Sequence, residues 1–399
     1  MAHSADEHTG ARIKRHRKER GLTQHGLALR AHVSHSLISK VECGQKPASP
    51  ALVAACARAL AVTPADLLGQ PYADELRRDR MDALVQPIRV GMENWDIPHD
   101  WETPPRPVPL IREDIGRLLV QRRNADLMDM ARDLPALIDE CVHAVHVTSG
   151  EERRQAHECL AWAFRCVFTL AWGLGYHDLA IVALDRVAAA APVADEPGLP
   201  AMHAYLRAQT VMASGRYEVG LRVVDQALRD LDGQNARRPG GLQAMTGVLL
   251  LRAAVLAGRA QDADHADARL DAARRLARET GELSDYGVAW GPVNVGVHAV
   301  AIASELDEYG QAIELAREVR LPQGYDRARA AHHWMDVGRA HTWAGNPTEA
   351  LASLQRARRI APQQTRYHPT TRESVIALKG VGRGRMSGEL ADFAAWVGA

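Results

Sequence analysis

Five short stretches of this chain repeat one arrangement: "GYHDLA" at Gly175, "GRYEVG" at Gly215, "GRAQDA" at Gly258, "DEYGQA" at Asp307 and "GNPTEA" at Gly345. In each, a turn residue is followed five positions later by a small one, namely Ala180, Gly220, Ala263, Ala312 and Ala350, at separations of 40, 43, 49 and 38 residues. Each turn ends one amphipathic segment and begins another. The pattern therefore predicts helix pairs that approach each other through small side chains. Such a pair cannot bury its apolar face alone and must stack on a neighbour.

The rest of the chain agrees. Its periodic segments follow the 3.6-residue rhythm of helices, and alternating Val/Ile/Thr runs with Asn-Gly or Asp-Gly turns are absent, so the expected class is all-α. At 46% hydrophobic and 25% charged, the 399 residues have the composition of an ordinary soluble protein with a sizeable core. Lys plus Arg and Asp plus Glu are both 49, so only the distribution of charge carries information. The cysteines number five, without CxxC spacing, which predicts reduced thiols. No apolar run approaches the roughly 18 to 20 residues of a membrane span, and "MAHSADEHTG" has no basic-then-apolar signal, so a cytoplasmic location with no membrane partner is expected.

Between Gln86 and Leu110 six prolines interrupt the helical pattern. The predicted organisation is a domain over 1–72, a Pro-rich linker over 73–111 and a helical repeat domain over 112–399. Trp95 and Trp101 lie among polar residues there, either docking the linker onto the body or offering a partner site.

Charge is concentrated near the start, where residues 10 to 21 hold six basic residues against the single acid Glu19. Thr23 is a plausible N-cap for "QHGLALRA", with Leu27, Ala28 and Ala31 on one face; Ser34 then caps "HSLISKVE", in which Leu37, Ile38 and Val41 point inward. His35, Ser36, Ser39 and Lys40 are left on the outer face. Two short helices joined by a tight turn, the second with a compact polar face, suit insertion of that face into a major groove.

Residues 10 to 69 resemble the Cro/repressor-type helix-turn-helix of xenobiotic-response-element (XRE) regulators, a five-helix domain. The resemblance rests on Arg12, Gly21-Leu22-Thr23-Gln24, Leu27-Ala28, Ala31, Val33-Ser34, Ser36, Ile38-Ser39, Glu42, Gly44 and Pro47, then Leu52, Ala57, Ala59-Leu60, Val62 and Leu67-Leu68. It implies that His35, Ser36, Ser39 and Lys40 meet bases or backbone, that Lys46 contacts phosphate, and that Gln24 contacts phosphate or braces the recognition helix. Arg12, Arg15 and Lys18 join these as candidate DNA contacts, since basic residues on the first helix suit phosphates. His32 stands where a turn glycine is usual, and Gly26 sits inside a helix. One such domain makes few base contacts, so a homodimer on a pseudo-palindromic double-stranded operator is implied.

The repeats are similar to the tetratricopeptide repeat (TPR), whose helix pairs stack into an α-solenoid. Ala208 and Gly338, Ala227 and Ala357, Pro192 and Pro362, and Tyr217 and Tyr309 add to that likeness, whereas "WGPVN", Trp290 to Asn294, departs from it. Alignment on the turns places Trp162, Arg165, Thr169, Trp172, Tyr205, Gln209, Arg252, Asn294, Met335 and Arg339 on the concave wall, as candidate contacts for a ligand with flat or apolar parts and a few polar groups.

Signals for catalysis are weak. The histidines of "HAVH" and "HH" lack HExxH spacing, and "GVGRGR" near Gly380 follows no strand and matches no phosphate-loop pattern, so neither a metal nor a cofactor is expected. The expected function is not enzymatic: a DNA-binding transcriptional regulator whose TPR-like domain senses a small molecule or short peptide. The architecture resembles quorum-sensing regulators of that domain order. The alternative is an adaptor that binds a protein partner through the solenoid.

Overall fold

The computed structural model describes residues 8–235, 242–381 and 388–399. Among the described residues every regular element is helical; the one β-type pairing is an isolated bridge between Leu283 and Trp290. The last part of the glycine-rich "GVGRGR" run lies outside them.

The N-terminal bundle comprises α1 (Thr9–Glu19), α2 (Gln24–Ala31), α3 (His35–Glu42), α4 (Pro50–Leu60) and α5 (Pro64–Leu68). Polar side chains start the last four: Thr23, Ser34, Ser49 and Thr63 each accept a hydrogen bond from a backbone N–H three residues on. The turn between α2 and α3 is closed by His32 in the left-handed region, at φ 56°, which costs a residue with a Cβ about 1 kcal/mol. Ile13, Leu27, Ile38, Val41, Leu52, Cys56, Leu60 and Leu67 meet at the centre.

The stretch expected to be a linker is largely helical. In α6 (Ala73–Arg78) and α7 (Asp82–Glu93), Leu76, Val85, Ile88 and Met92 recur at helical spacing and, with Tyr72 and Met81, enter the large core of the repeat domain. Burial of that stripe outweighs the disruption from Pro87 inside α7. The Arg186 guanidinium stacks 4.2 Å from the Trp95 ring, and exposed Trp101 meets His143 and His146 edge-on. Both tryptophans dock the segment onto the body.

Six antiparallel pairs follow: α8 (Val108–Asn124) with α9 (Leu127–Val147), α10 (Gly150–Leu174) with α11 (His177–Ala194), and α12 (Gly198–Ala213) with α13 (Tyr217–Asn235). Then come α14 (Gln243–Arg259) with α15 (Ala263–Thr280), α16 (Pro292–Glu305) with α17 (Tyr309–Glu318), and α18 (Arg327–Trp343) with α19 (Pro347–Ile360). The chain finishes in α20 (Pro362–Tyr367), α21 (Pro369–Val381) and α22 (Gly388–Val397).

Four of the five expected turns have the small residue buried at the crossing: Ala180, Ala312 and Ala350 have no exposed surface, and a Cβ on Gly220 would lie 2.7 Å from Leu256. The third differs by three residues. Its positive-φ position is Gln261, the buried small residue is Ala266, Ala263 is exposed, and Gly258 belongs to the body of α14. "WGPVN" is a helix start, with Pro292 in the first turn of α16, where its missing N–H costs nothing.

The row of pairs closes on itself. The backbone N–H of Met128, in α9, donates to Gln363 of α20 at 3.1 Å, Arg327 of α18 reaches Asp126 at 4.0 Å, and Ala125, Ala331 and Ala361 pack together. Arg122 of α8 also bonds the carbonyl of Gly287. The inner helices α10, α12, α14 and α18 consequently turn side chains towards one another, Tyr205 of α12 lying among Arg165, Arg252 and Arg329.

Candidate nucleic-acid interface and sensor cavity

α3 presents His35, Ser36 and Lys40 to solvent, with Ser39 half-buried beside them. Among the described residues none of these four side chains bonds to the repeat domain. The helix is held from behind. Arg17 of α1 donates to both carboxylate oxygens of Glu42, at 2.6 and 2.7 Å, and to the carbonyl of Leu22 at 2.7 Å. Gln24 donates to Glu42 at 2.9 Å, so it braces the recognition helix. Burial pushes the Glu42 carboxyl up, but the bonds from Arg17 and Gln24 outweigh it and bring it below the ordinary carboxylate range.

The first helix divides by its 3.6-residue period. Lys14 and Lys18 are exposed and Arg15 is half-buried, alongside the reading face in sequence. Arg12 does not fit the expectation of a DNA contact. It shares the inner face with Thr9 and Ile13, is 7% exposed, and donates to the carbonyl of Leu68 at 3.4 Å. Lys46 is exposed, yet its Nζ lies 5.9 Å over the ring of Trp343 in the repeat domain.

The other surfaces of the N-terminal domain rest on the repeats. Arg58 of α4 donates to the carbonyls of Ser214 and Gly215 at 3.3 and 3.1 Å, and Thr9 bonds Glu373. Gly215 has to be small: its φ is +70°, and a Cβ would lie 1.9 Å from Arg58 Nη1. A cavity of about 200 Å³ remains at this junction, walled by Pro47, Val53 and Leu68 on one side and by Trp172, Arg339 and Trp343 on the other.

The ten concave-wall candidates separate into three groups. Trp172 and Arg339 line the junction cavity; Trp172 stacks on His177 at 4.4 Å, and Arg339 shares Glu305 with Arg259 at 3.1 and 3.2 Å. Trp162, Arg165, Tyr205, Gln209 and Arg252 come together inside the ring. There the Arg252 guanidinium lies 4.3 Å from the Tyr205 ring and 3.5 Å from Gln209 Oε1, and Arg165 lies 6.0 Å from Trp162. Thr169 contributes to the same helix by bonding the Arg165 carbonyl at 3.1 Å.

Asn294 and Met335 form the third group, and neither lines a site. Asn294 is fully buried and donates to the carbonyl of Ala289 at 2.8 Å, fixing the start of α16. Met335 is also fully buried, against Thr371 of α21 at 3.1 Å. The inward face of α18 runs through Arg329, His332, Asp336 and Arg339, a spacing of three, four and three, and Met335 falls one residue off it.

Sequence reasoning missed Arg122 and Arg329. Tyr205 sits among Arg252, Arg329 and Arg165; burial raises its phenol, but the three cations outweigh burial and bring it down to about 8. Burial first, then Arg122, lowers Arg165 to about 9, leaving it protonated at neutral pH. Burial and the surrounding arginines hold His332 at about 3, so it is a neutral imidazole. Among the described residues no group of three His, Cys, Asp or Glu side chains is arranged to hold a metal, and no helix is long and apolar enough to cross a membrane.

Comparison with known proteins places the N-terminal geometry. Residues 8–68 match a family described as "Helix-turn-helix domain". Among solved structures, the chain is similar to the apo form of RapI, at 10% identity over 69% of this chain and 71% of that one, with a TM-score of 0.38. It is also similar to BtubC (BKLC) from P. vanneervenii, at 17% identity over 66% of this chain and 94% of that one, with a TM-score of 0.31. Likenesses so remote carry no argument about function, and no curated protein matches the chain. The N-terminal domain is thus a helix-turn-helix domain of the DNA-binding type, joined to a closed array of helix pairs.

Proposed function

We propose that the chain is a sequence-specific transcriptional regulator that reads a pseudo-palindromic operator as a homodimer, and whose TPR-like repeat domain binds a signal and alters operator binding. The observation that carries this reading is the seating of the reader. Its α3 face is open to solvent, while Lys46, Arg58 and Thr9 tie other parts of the same domain to the repeats around a shared cavity. A ligand that favours one seating of the reader over another shifts DNA binding by the difference in its affinity for the two, typically about 1 to 3 kcal/mol. On this reading the domain boundaries are 1–72 for the reader and 112–399 for the repeats, with α6 and α7 as a structural extension of the repeats.

Genomic footprinting of the full-length protein in its host tests the proposal without a prior guess about operator or ligand. A few sharp, pseudo-palindromic sites whose occupancy responds to cell extract are expected. Diffuse or absent occupancy overturns it in favour of the adaptor reading.

A further inference from the structure

Among the described residues, several buried and half-buried arginines have a carboxylate. Arg17 has Glu42, Arg372 has Glu75, Arg366 has Asp79, and Arg259 and Arg339 share Glu305. The interior of the ring is different. Among the described residues, Arg122 of α8, Arg165 of α10, Arg252 of α14 and Arg329 of α18 form no ion pair. Arg165 is 4% exposed; its Nε donates to the sulfur of Met202 at 3.2 Å and its Nη1 has no partner. The Nε atoms of Arg122 and Arg252 are buried without partners, as are those of the carboxylate-paired Arg259, Arg339 and Arg366, so the ring arginines differ in lacking a paired acid rather than in this. Asp326 caps α18, accepting from the Arg329 backbone N–H at 2.8 Å, and its one negative charge acts on Arg122, Arg165 and Arg329 together without forming an ion pair with any of them.

Removing one cation from water costs several kcal/mol unless an opposite charge or full hydrogen bonding compensates. Four helices bring four guanidiniums to one place with the single carboxylate of Asp326 acting on three of them, so positive charge there exceeds negative. We infer that the ring interior is a binding site for a small anionic ligand, whose carboxylate or phosphate is taken by Arg165, Arg252 and Arg329 around the Tyr205 phenol.

The planar guanidinium forks suit the paired oxygens of either group. The rings of Trp162 and Tyr205 border the same arginines, Trp162 beside Arg165 and Tyr205 beside Arg252. A histidine path leads from the site to the reader: His368 lines the junction cavity, and its ring lies 5.0 Å from that of His332, on the inward face of α18 beside Arg329. The inference names the chemistry of the signal in the proposed function and in that sense rests on that reading.

The test follows Tyr205. The tyrosinate absorbance of the full-length protein is titrated against pH, with the Tyr205→Phe protein subtracted, at ionic strength held constant with sodium chloride. Without a probe the phenol is expected to titrate near 8. Phenyl phosphate and benzoate are then added separately. An anion on the arginines cancels the positive potential at the phenol, so the midpoint rises and the rise saturates with probe. Saturation by phenyl phosphate alone assigns a phosphoryl group, by benzoate alone a carboxylate, and either result supports the site.

Arg252→Gln, at a half-buried position, is expected to weaken the probe by about tenfold or more, as removal of one charge-assisted hydrogen bond should. Arg165→Gln is expected to do the same, and Arg252→Gln carries the test should that protein fail to fold. A midpoint unmoved by both probes overturns the inference, even where cell extract still changes DNA occupancy. Saturable probe binding without any change in DNA occupancy supports the anion site and removes its coupling to the reader.

Discussion

Arg17 and Glu42 form a two-pronged ion pair, at 2.6 and 2.7 Å, between the first helix and the end of the recognition helix, and neither side chain is appreciably exposed. The pair fixes where α3 ends relative to α1, with His35, Ser36 and Lys40 on the opposite, solvent side. A reading face must keep its geometry when DNA is absent. A buried pair with every oxygen engaged does that more stiffly than apolar contact alone.

Glu42→Gln leaves the Arg17 guanidinium buried without its counter-charge. The cost is expected to be about 3 to 5 kcal/mol, seen as an earlier thermal unfolding transition of the N-terminal domain. The double replacement Arg17→Met with Glu42→Leu is expected to recover much of that loss, because it leaves no isolated charge. A single Glu42→Gln that melts like the wild type would show that the pair does not hold the domain together.

The reader was legible because its signals are local: caps at Thr23 and Ser34, apolar residues at helical spacing, and a polar outer face. The helix pairs were legible for the same reason. What escaped depends on packing across the chain. Nothing local marks Arg12 as inward while Lys14 and Lys18 stay outside, since that is set by the packing of α1 on α5. A register error of one residue exchanged Met335 for the true inward face of α18, and Arg122 was invisible because α8 precedes the first recognisable repeat. The closure of the ring joins α9 to α20 over more than half the chain, beyond any sequence window.

Ser36 and Lys40 are exposed on α3, and on the proposed function they contact bases. Changing either to Ala is expected to weaken binding to the specific operator by about 1 to 3 kcal/mol if its interaction with the base is bidentate, with little change on random DNA. Competition binding with both DNAs measures this. Equal weakening on the two would reduce the residue to a backbone role.

Arg15 and Lys18 lie on the part of α1 that reaches solvent, unlike Arg12. Changing both to Gln is expected to weaken specific and random DNA alike and to flatten the dependence of binding on salt. The slope should fall by about 0.9 for each phosphate that is no longer neutralised. An unchanged slope would remove α1 from the DNA interface.

Glu305 is buried between Arg259 and Arg339 at 3.2 and 3.1 Å. Burial pushes its carboxyl up, but the two arginines outweigh it and hold it at about 2, against an ordinary 4.5. Because the folded value is the lower one, the stabilisation is complete above about pH 4.5 and is lost as pH falls towards 2. A shift of that size corresponds to roughly 3 kcal/mol. Denaturant unfolding of wild type and Glu305→Gln between pH 6 and 3 checks it: the wild type should lose more stability with acid than the variant. Parallel acid profiles would show that the carboxylate is not held by its arginines.

Two glycines inside helices should respond to Ala with opposite signs. Gly116 is exposed in α8, and a Cβ there meets nothing within 4 Å; Gly116→Ala is expected to stabilise by about 0.5 to 1 kcal/mol through the lower entropy of the unfolded chain. Gly247 in α14 has the same propensity to gain, but its Cβ would lie 2.2 Å from the ring of Trp290. That ring is fully buried and held by a 2.9 Å bond from its Nε1 to Thr280, so it has no room to retreat. Overpacking of this kind costs about 1 to 3 kcal/mol, which outweighs the propensity gain, and Gly247→Ala is expected to melt earlier than the wild type. A Gly247→Ala protein as stable as Gly116→Ala would mean that Trp290 can move, and that the start of α16 is not pinned by α14.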